Sequence, residues 1–249
     1  MRDVDERALK AREKKAALGP DVDLSTFTAE PVKHAVLNSL NELSDEDRRQ
    51  MIKAGIDAGE AERSGSYIQM DTAAVFSRSK QEGLEVIPIK RALKECNWIN
   101  DYYWKLVSVD ADKYTAKAQL ELHDGYVIRA LPGSRVIYPV QACLYLDKEN
   151  LSQYVHNLVI AEEGSELHVI TGCATAPHLR RGLHVGISEF FVKKNAKLSF
   201  TMIHQWAEEM MVRPRSVGMV EEGGLFLNNY ICMKPVKSLQ MYPTTHLVG

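Results

Sequence analysis

One pattern recurs four times in the second half of this chain and limits what it can fold into. Its turns read Leu131-Pro132-Gly133-Ser134-Arg135-Val136, Glu162-Glu163-Gly164-Ser165-Glu166-Leu167, Lys193-Lys194-Asn195-Ala196-Lys197-Leu198 and Glu221-Glu222-Gly223-Gly224-Leu225-Phe226. The starts, at 131, 162, 193 and 221, are 31, 31 and 28 residues apart. Each turn follows an apolar β-prone run (Tyr126 to Ile128, Leu158 to Ile160, Phe190 to Val192, Met219 to Val220) and precedes a second one. Two strands and two turns in ~30 residues make one coil of a β-solenoid. The Gly or Asn at each corner supplies the positive φ of a tight turn. No helix-period stretch intervenes between these strands, which argues against βαβ units.

The repeat makes neighbours of distant residues. Cys173, His204 and Cys232 sit 31 and 28 residues apart and take one equivalent position. Equivalent residues on adjacent coils stack at about 4.8 Å. Alternation along the strands groups Cys173 with Leu167 and Val169, His204 with Leu198, Phe200 and Met202, and Cys232 with Phe226 and Tyr230, the faces expected to point inward. The expectation is a shielded column of two thiols and an imidazole, with His204 raising the thiolate fraction of a neighbouring cysteine. Arg180 and Arg181 are expected to add positive potential at its mouth. Such a column suits sulfur transfer or a soft metal, iron in a cluster included, although a buried cysteine is more often a small hydrophobe.

Cys143 falls one residue out of this register and is expected in the core, and Cys96 reads as structural. His178 and His184 flank the Arg180-Arg181-Gly182 loop and read as surface residues, while His156 and His168 stand singly on strands. None of the four cysteines forms a CxxC pair, so there is no sequence-local zinc knuckle or thioredoxin motif.

Upstream, residues 1–63 read as a helical arm, with helices over Asp5 to Leu18 and from Ser44 to about Ala54. Residues 64–125 read as an α+β capping module with strands at Tyr67 to Met70, Thr72 to Phe76 and Leu84 to Ile87 and a helix at Lys90 to Cys96. Its aromatic cluster, Trp98, Tyr102, Tyr103 and Trp104, is expected to pack against the following domain. Residues 126–249 read as the parallel β-helix core, expected to be incomplete at its C-terminal end. Thirty-one basic against 33 acidic residues leave a net charge of −2, which gives no global field for nucleic acid or an anionic membrane. No run reaches the ~18 apolar residues of a membrane span, and the charged start lacks the apolar region of a secretory signal, so a cytoplasmic location is expected.

The runs Ile170-Thr171-Gly172-Cys173-Ala174-Thr175-Ala176-Pro177, Gly182 to Phe190 and Leu198 to Trp206 resemble the core of the SufB/SufD family, scaffold proteins of iron–sulfur cluster assembly. Glu62 to Asp71 and Arg129 to Arg135 are similar to its archaeal, minimal SufB branch, and the similarity runs from about Asp21 to Gly249. The resemblance implies a right-handed parallel β-helix with a helical N-terminal region, partnership with the ABC-type ATPase SufC, and pairing with a second copy or a SufD-like paralogue. It also implies persulfide sulfur received from a donor protein at Cys173, with a transient, nascent iron–sulfur cluster as cargo. Family members continue past this chain's end with more β-helix, a further cysteine and His/Glu residues that hold the cluster, so this chain alone is expected to hold less of it.

In this reading Cys173 accepts sulfur, His204 is its proton acceptor or orienting partner, and Cys232 is the next station. The chain is not expected to be an enzyme, since it has neither a phosphate-binding loop with its Lys nor a G-x-S-x-G elbow. A degenerate, purely structural dimerisation partner is the alternative. A metal-dependent cupin or sugar-cleaving β-helix is disfavoured, because there is no HxH pair and the Glu162-Glu163 and Glu221-Glu222 pairs sit in turns.

Overall fold

In a computed structural model that describes residues 3–249, the repeat region winds into a β-solenoid of about four turns. Along one side run the parallel strands β4 (Tyr126–Ala130), β6 (Ser152–Ala161), β8 (Leu183–Val192) and β11 (Arg215–Val220). Along the other run β5 (Val140–Leu146), β7 (Glu166–Thr175), β9 (Lys197–Gln205) and β12 (Leu225–Cys232). Short strands β10 (Met211–Val212) and β13 (Ser238–Leu239) and the last strand β14 (Tyr242–Leu247) continue the first side.

The corners carry the backbone geometry that their residues dictate. Gly133, Gly164, Asn195 and Gly223 have φ of 68°, 66°, 56° and 68°. Each corner also bonds to the next coil: the amides of Gly133, Gly164 and Asn195 donate to the carbonyls of Glu163, Lys194 and Glu222 at 2.9, 2.9 and 3.0 Å. The turn residues thus set the register that the strands propagate.

The upstream strands extend the same two sheets. β1 (Gly65–Met70) pairs parallel with β5 and antiparallel with β2 (Ala73–Ser79), while β3 (Leu84–Pro88) pairs antiparallel with β4. Helix α1 (Asp3–Ala11) is shorter than the Asp5 to Leu18 expected. Beyond Ala11 the backbone makes tertiary bonds instead, with the Lys14 carbonyl accepting from the Lys113 amide and the Leu18 carbonyl from the Gln240 side chain. Helix α2 (Asp45–Lys53) starts at the expected cap, Ser44, whose side chain accepts from the Asp47 amide. Helix α3 (Ile89–Glu95) falls where the sequence placed it. Helix α4 (Lys113–Leu120) was not anticipated; its signal is the Asp112/Thr115 capping box.

Packed segments cover both outer faces of the solenoid in part, leaving β12 exposed. The loop after α2 lies so close to β7 that a Cβ on Gly172 would meet the Ala54 carbonyl oxygen at 2.5 Å. Tyr145 Oη donates to Asp47 on the helix at 2.8 Å. Across the molecule, the aromatic segment packs on β6 and β8 as expected: Tyr102 lies edge-on to Phe191 with centroids 4.8 Å apart, and Tyr103 and Trp104 each lie 4.5 Å from the His156 ring. Inside, Phe190 meets Phe200 and Phe226 at 4.7 and 5.1 Å. Aromatic pairs of this kind add about 0.5–1.5 kcal/mol each beyond area burial.

Candidate functional site

The predicted column exists. Cys173 on β7 is the register partner of His204 on β9, and His204 that of Cys232 on β12. One coil earlier the position belongs to Leu144, while Cys143 pairs with Gly172. Cys143 is fully buried, but on the outer face beneath α2 rather than in the solenoid interior. There burial pushes its thiol up to about 12.

The side chains of the column differ from the expected relay in three ways. Cys173 is fully buried and contacts Met202, with Sγ 3.5 Å from Sδ. Burial holds its thiol well above the ordinary range, and burial holds His204 down at about 3, so at neutral pH the pair is thiol and neutral imidazole. This corrects the expectation that His204 favours thiolate. Its Nδ1 is engaged instead with Tyr230 Oη at 2.8 Å, and its Nε2 is buried without a partner. Cys232 is exposed rather than shielded, its Sγ donating to the Lys234 carbonyl at 3.0 Å. Its strand, β12, is the edge of its sheet among the described residues.

A chamber of about 220 Å³ occupies the solenoid interior beside this column, lined by His184, Met202, His204, Ser188, Phe190 and Tyr230 among others, and by no charged residue. His184 belongs here and not on the surface as expected. It lies on the inward face of β8, is buried, hydrogen-bonds Gln153 Oε1 through Nδ1 at 2.8 Å, and its ring centroid is 6.4 Å from that of His204. Burial lowers it to about 3 as well. The signal that sequence reading missed was its alternation with Leu183 and Val185, which face outward. Trp206 packs against both imidazoles at 5.0 and 5.6 Å, and its Nε1 has no partner.

The Arg181 guanidinium is turned to other partners than the column. The Arg180 and Arg181 amides donate to Glu149, and the Arg181 guanidinium bonds Thr26 and Asn150 and lies 4.1 Å from the Phe27 ring. His178 is exposed, as expected. His156 does not stand alone: it is fully buried against Glu189 on the outer face of the solenoid. Among the described residues no three His, Cys, Asp or Glu side chains converge as a metal site, and no helix is long and apolar enough to cross a membrane.

Fold and site together define a β-solenoid protein with a sulfur- and imidazole-bearing interior. Residues 144–244 match the model of the SUF-system FeS cluster assembly SufBD core domain. The chain is 44% identical over 254 aligned residues to an iron–sulfur cluster assembly SufBD family protein of Methanothermobacter thermautotrophicus, covering 100% of this chain and 62% of that one. It is 51% identical over 201 residues to a SufBD family protein of Archaeoglobus fulgidus (81% of this chain, 54% of that one). It is 26% identical over 203 residues to the iron–sulfur cluster assembly protein SufB of Bacillus subtilis (78% and 43%). The chain belongs to the SufBD family of iron–sulfur cluster assembly proteins. It spans less than two thirds of the length of these relatives.

Proposed function

We propose that this chain is the sulfur-accepting part of a SUF-type assembly scaffold and that Cys173 is the acceptor. The observation that carries this reading is the in-register column of Cys173, His204 and Cys232 beside an uncharged interior chamber, in a chain of the SufBD family. In the step proposed, the Cys173 thiolate attacks the terminal, sulfane sulfur of a donor protein's persulfide. The donor's S–S bond breaks, the donor thiolate leaves and takes up the proton that Cys173 lost, and Cys173 becomes the persulfide. Burial makes thiolate formation costly, so the step requires the donor to approach before the proton departs.

His204, with its unpartnered Nε2, is the residue proposed to orient the new terminal sulfur, and exposed Cys232 is the next station. The iron–sulfur cluster is cargo, and holding it is shared with a partner subunit, a second copy or a SufD-like paralogue. ATP hydrolysis belongs to a SufC-like ATPase, so this chain acts as a scaffold, in the cytoplasm.

The test is anaerobic persulfide loading from a persulfidated donor, read by intact-protein mass, together with reconstitution with iron and sulfide. Wild type and Cys232→Ala are expected to gain sulfur on Cys173, and Cys173→Ala to gain none there. Equal loading and equal cluster absorbance in all three proteins would remove the role assigned to Cys173.

A further inference from the structure

We propose that Cys173, Met202 and His204 form a binding site for a soft monovalent d10 cation, Cu(I) in the first instance. Two sulfurs already meet there, the Cys173 Sγ lying 3.5 Å from the Met202 Sδ. A thioether offers little to a hard or divalent ion, but it is a good ligand for Cu(I). His204 stands in register with Cys173 and lines the same chamber as Met202. With Nδ1 bonded to Tyr230 Oη at 2.8 Å and Nε2 buried and unpartnered, it has the arrangement of a metal-ligating imidazole whose second nitrogen is fixed by an outer partner.

Charge selects the ion. No Asp, Glu, Lys or Arg lines the chamber, and Cys173, which touches it through Met202, brings one thiolate to the three proposed ligands. On binding, Cys173 releases its proton to solvent and the S–Cu bond forms. One thiolate with one monovalent cation is a neutral unit that a low-dielectric interior tolerates, whereas Zn(II) or Fe(II) would leave a buried positive charge with no carboxylate to match it. The absence of a three-residue His/Cys/Asp/Glu cluster among the described residues fits the same selection, because here the third ligand is a methionine. Asn228 and Pro243, both exposed, belong to the chamber's lining and give the cation its proposed route in. The site stands on geometry alone. Only its consequence, that bound Cu(I) blocks sulfur loading, rests on the function proposed above.

The experiment is anaerobic Cu(I) titration against a chromogenic Cu(I) chelator, in a Cys96→Ala/Cys232→Ala background that removes the two more accessible thiols. One Cu(I) is expected to bind, with X-ray absorption showing two sulfur scatterers and one nitrogen. Met202→Leu, which conserves volume and is checked for fold by circular dichroism, is expected to weaken binding by about tenfold or more and to remove one sulfur scatterer. Tyr230→Phe, which removes the outer partner of His204, is expected to weaken it by about 10–100-fold. A Met202→Leu affinity equal to that of the background protein, a single sulfur scatterer before substitution, or Zn(II) displacing Cu(I) at equal concentration would each overturn the assignment. Because no sulfur donor is present, failure of persulfide loading and failure of this site are read separately.

Discussion

Glu189 and His156 form a contact sealed from solvent on the outer face of the solenoid: Nε2 lies 2.7 Å from Oε2, and neither side chain is exposed. The same carboxylate accepts from the backbone amides of Trp104, Leu106 and Val107, at 2.8 Å for Trp104 and 3.0 Å for Val107. One side chain of the solenoid thus terminates the hydrogen bonds of the aromatic segment packed over it. Glu189→Ala is expected to destabilise the protein by about 3–5 kcal/mol, since it strands three amides, two of them buried, and a buried imidazole. Glu189→Gln keeps one accepting oxygen and is expected to cost about 2 kcal/mol. Urea unfolding followed by tryptophan fluorescence measures both, and an unchanged midpoint for the alanine variant would refute the role.

The two chamber histidines give stability a defined pH dependence. Burial lowers His184 and His204 from 6.5 to about 3 in the folded protein. Between those values the unfolded chain binds more protons, so their contribution is complete above about pH 6.5 and is lost as pH falls toward 3. The slope is about 1.4 kcal/mol per pH unit for each group. Asp124, raised by burial to about 6, acts in the opposite sense, so the measurement is a difference between proteins. The loss of stability on acidification is expected to be shallower in His204→Gln than in wild type, read from urea midpoints across this range. Parallel curves would contradict the buried neutral imidazole.

Thiol accessibility separates the cysteines. Cys232 is exposed, whereas Cys143 and Cys173 are fully buried with thiols held in the protonated form. Alkylation under native conditions is expected to be slower at Cys143 and Cys173 than at Cys232 by roughly a hundredfold, the factor imposed by a local opening of about 3 kcal/mol. Peptide mass mapping over time gives the rates. Comparable labelling of Cys173 and Cys232 would mean that the solenoid interior is open.

The corner positions allow a clean test of turn chemistry. A Cβ on Gly164 would meet nothing within 4 Å, so substitution there is opposed by backbone conformation alone, at φ 66°. Gly164→Ala is expected to cost about 1–2 kcal/mol. Gly164→Asn is expected to cost less, because Asn195 already fills the equivalent corner at φ 56°. Thermal melts of the two variants check the order, and asparagine proving as costly as alanine would contradict it.

The column was legible because a parallel, in-register stack converts spacing along the chain into contact between strands. Residues 31 and 28 apart became neighbours, and Cys143, one residue off, turned to the other face. The corners were legible for the related reason that a tight turn with positive φ admits few residue types. The side of each strand that is covered was not legible, since α2 closes over Cys143 from about 100 residues upstream and the aromatic segment reaches His156 from about 50. His184 was misplaced because its neighbours Arg180 and Arg181 suggested a surface loop, whereas its strand begins at Leu183.

The sequence by itself therefore determined the coil, its register and the identity of the residues in the column, all of which follow from periodicity. Only the tertiary structure decided their chemical environments. The Cys173 sulfur contacts Met202, the His204 Nδ1 bonds Tyr230, and Cys232 is exposed. Those outcomes depend on rotamers and on the packing of remote segments, which no repeat encodes.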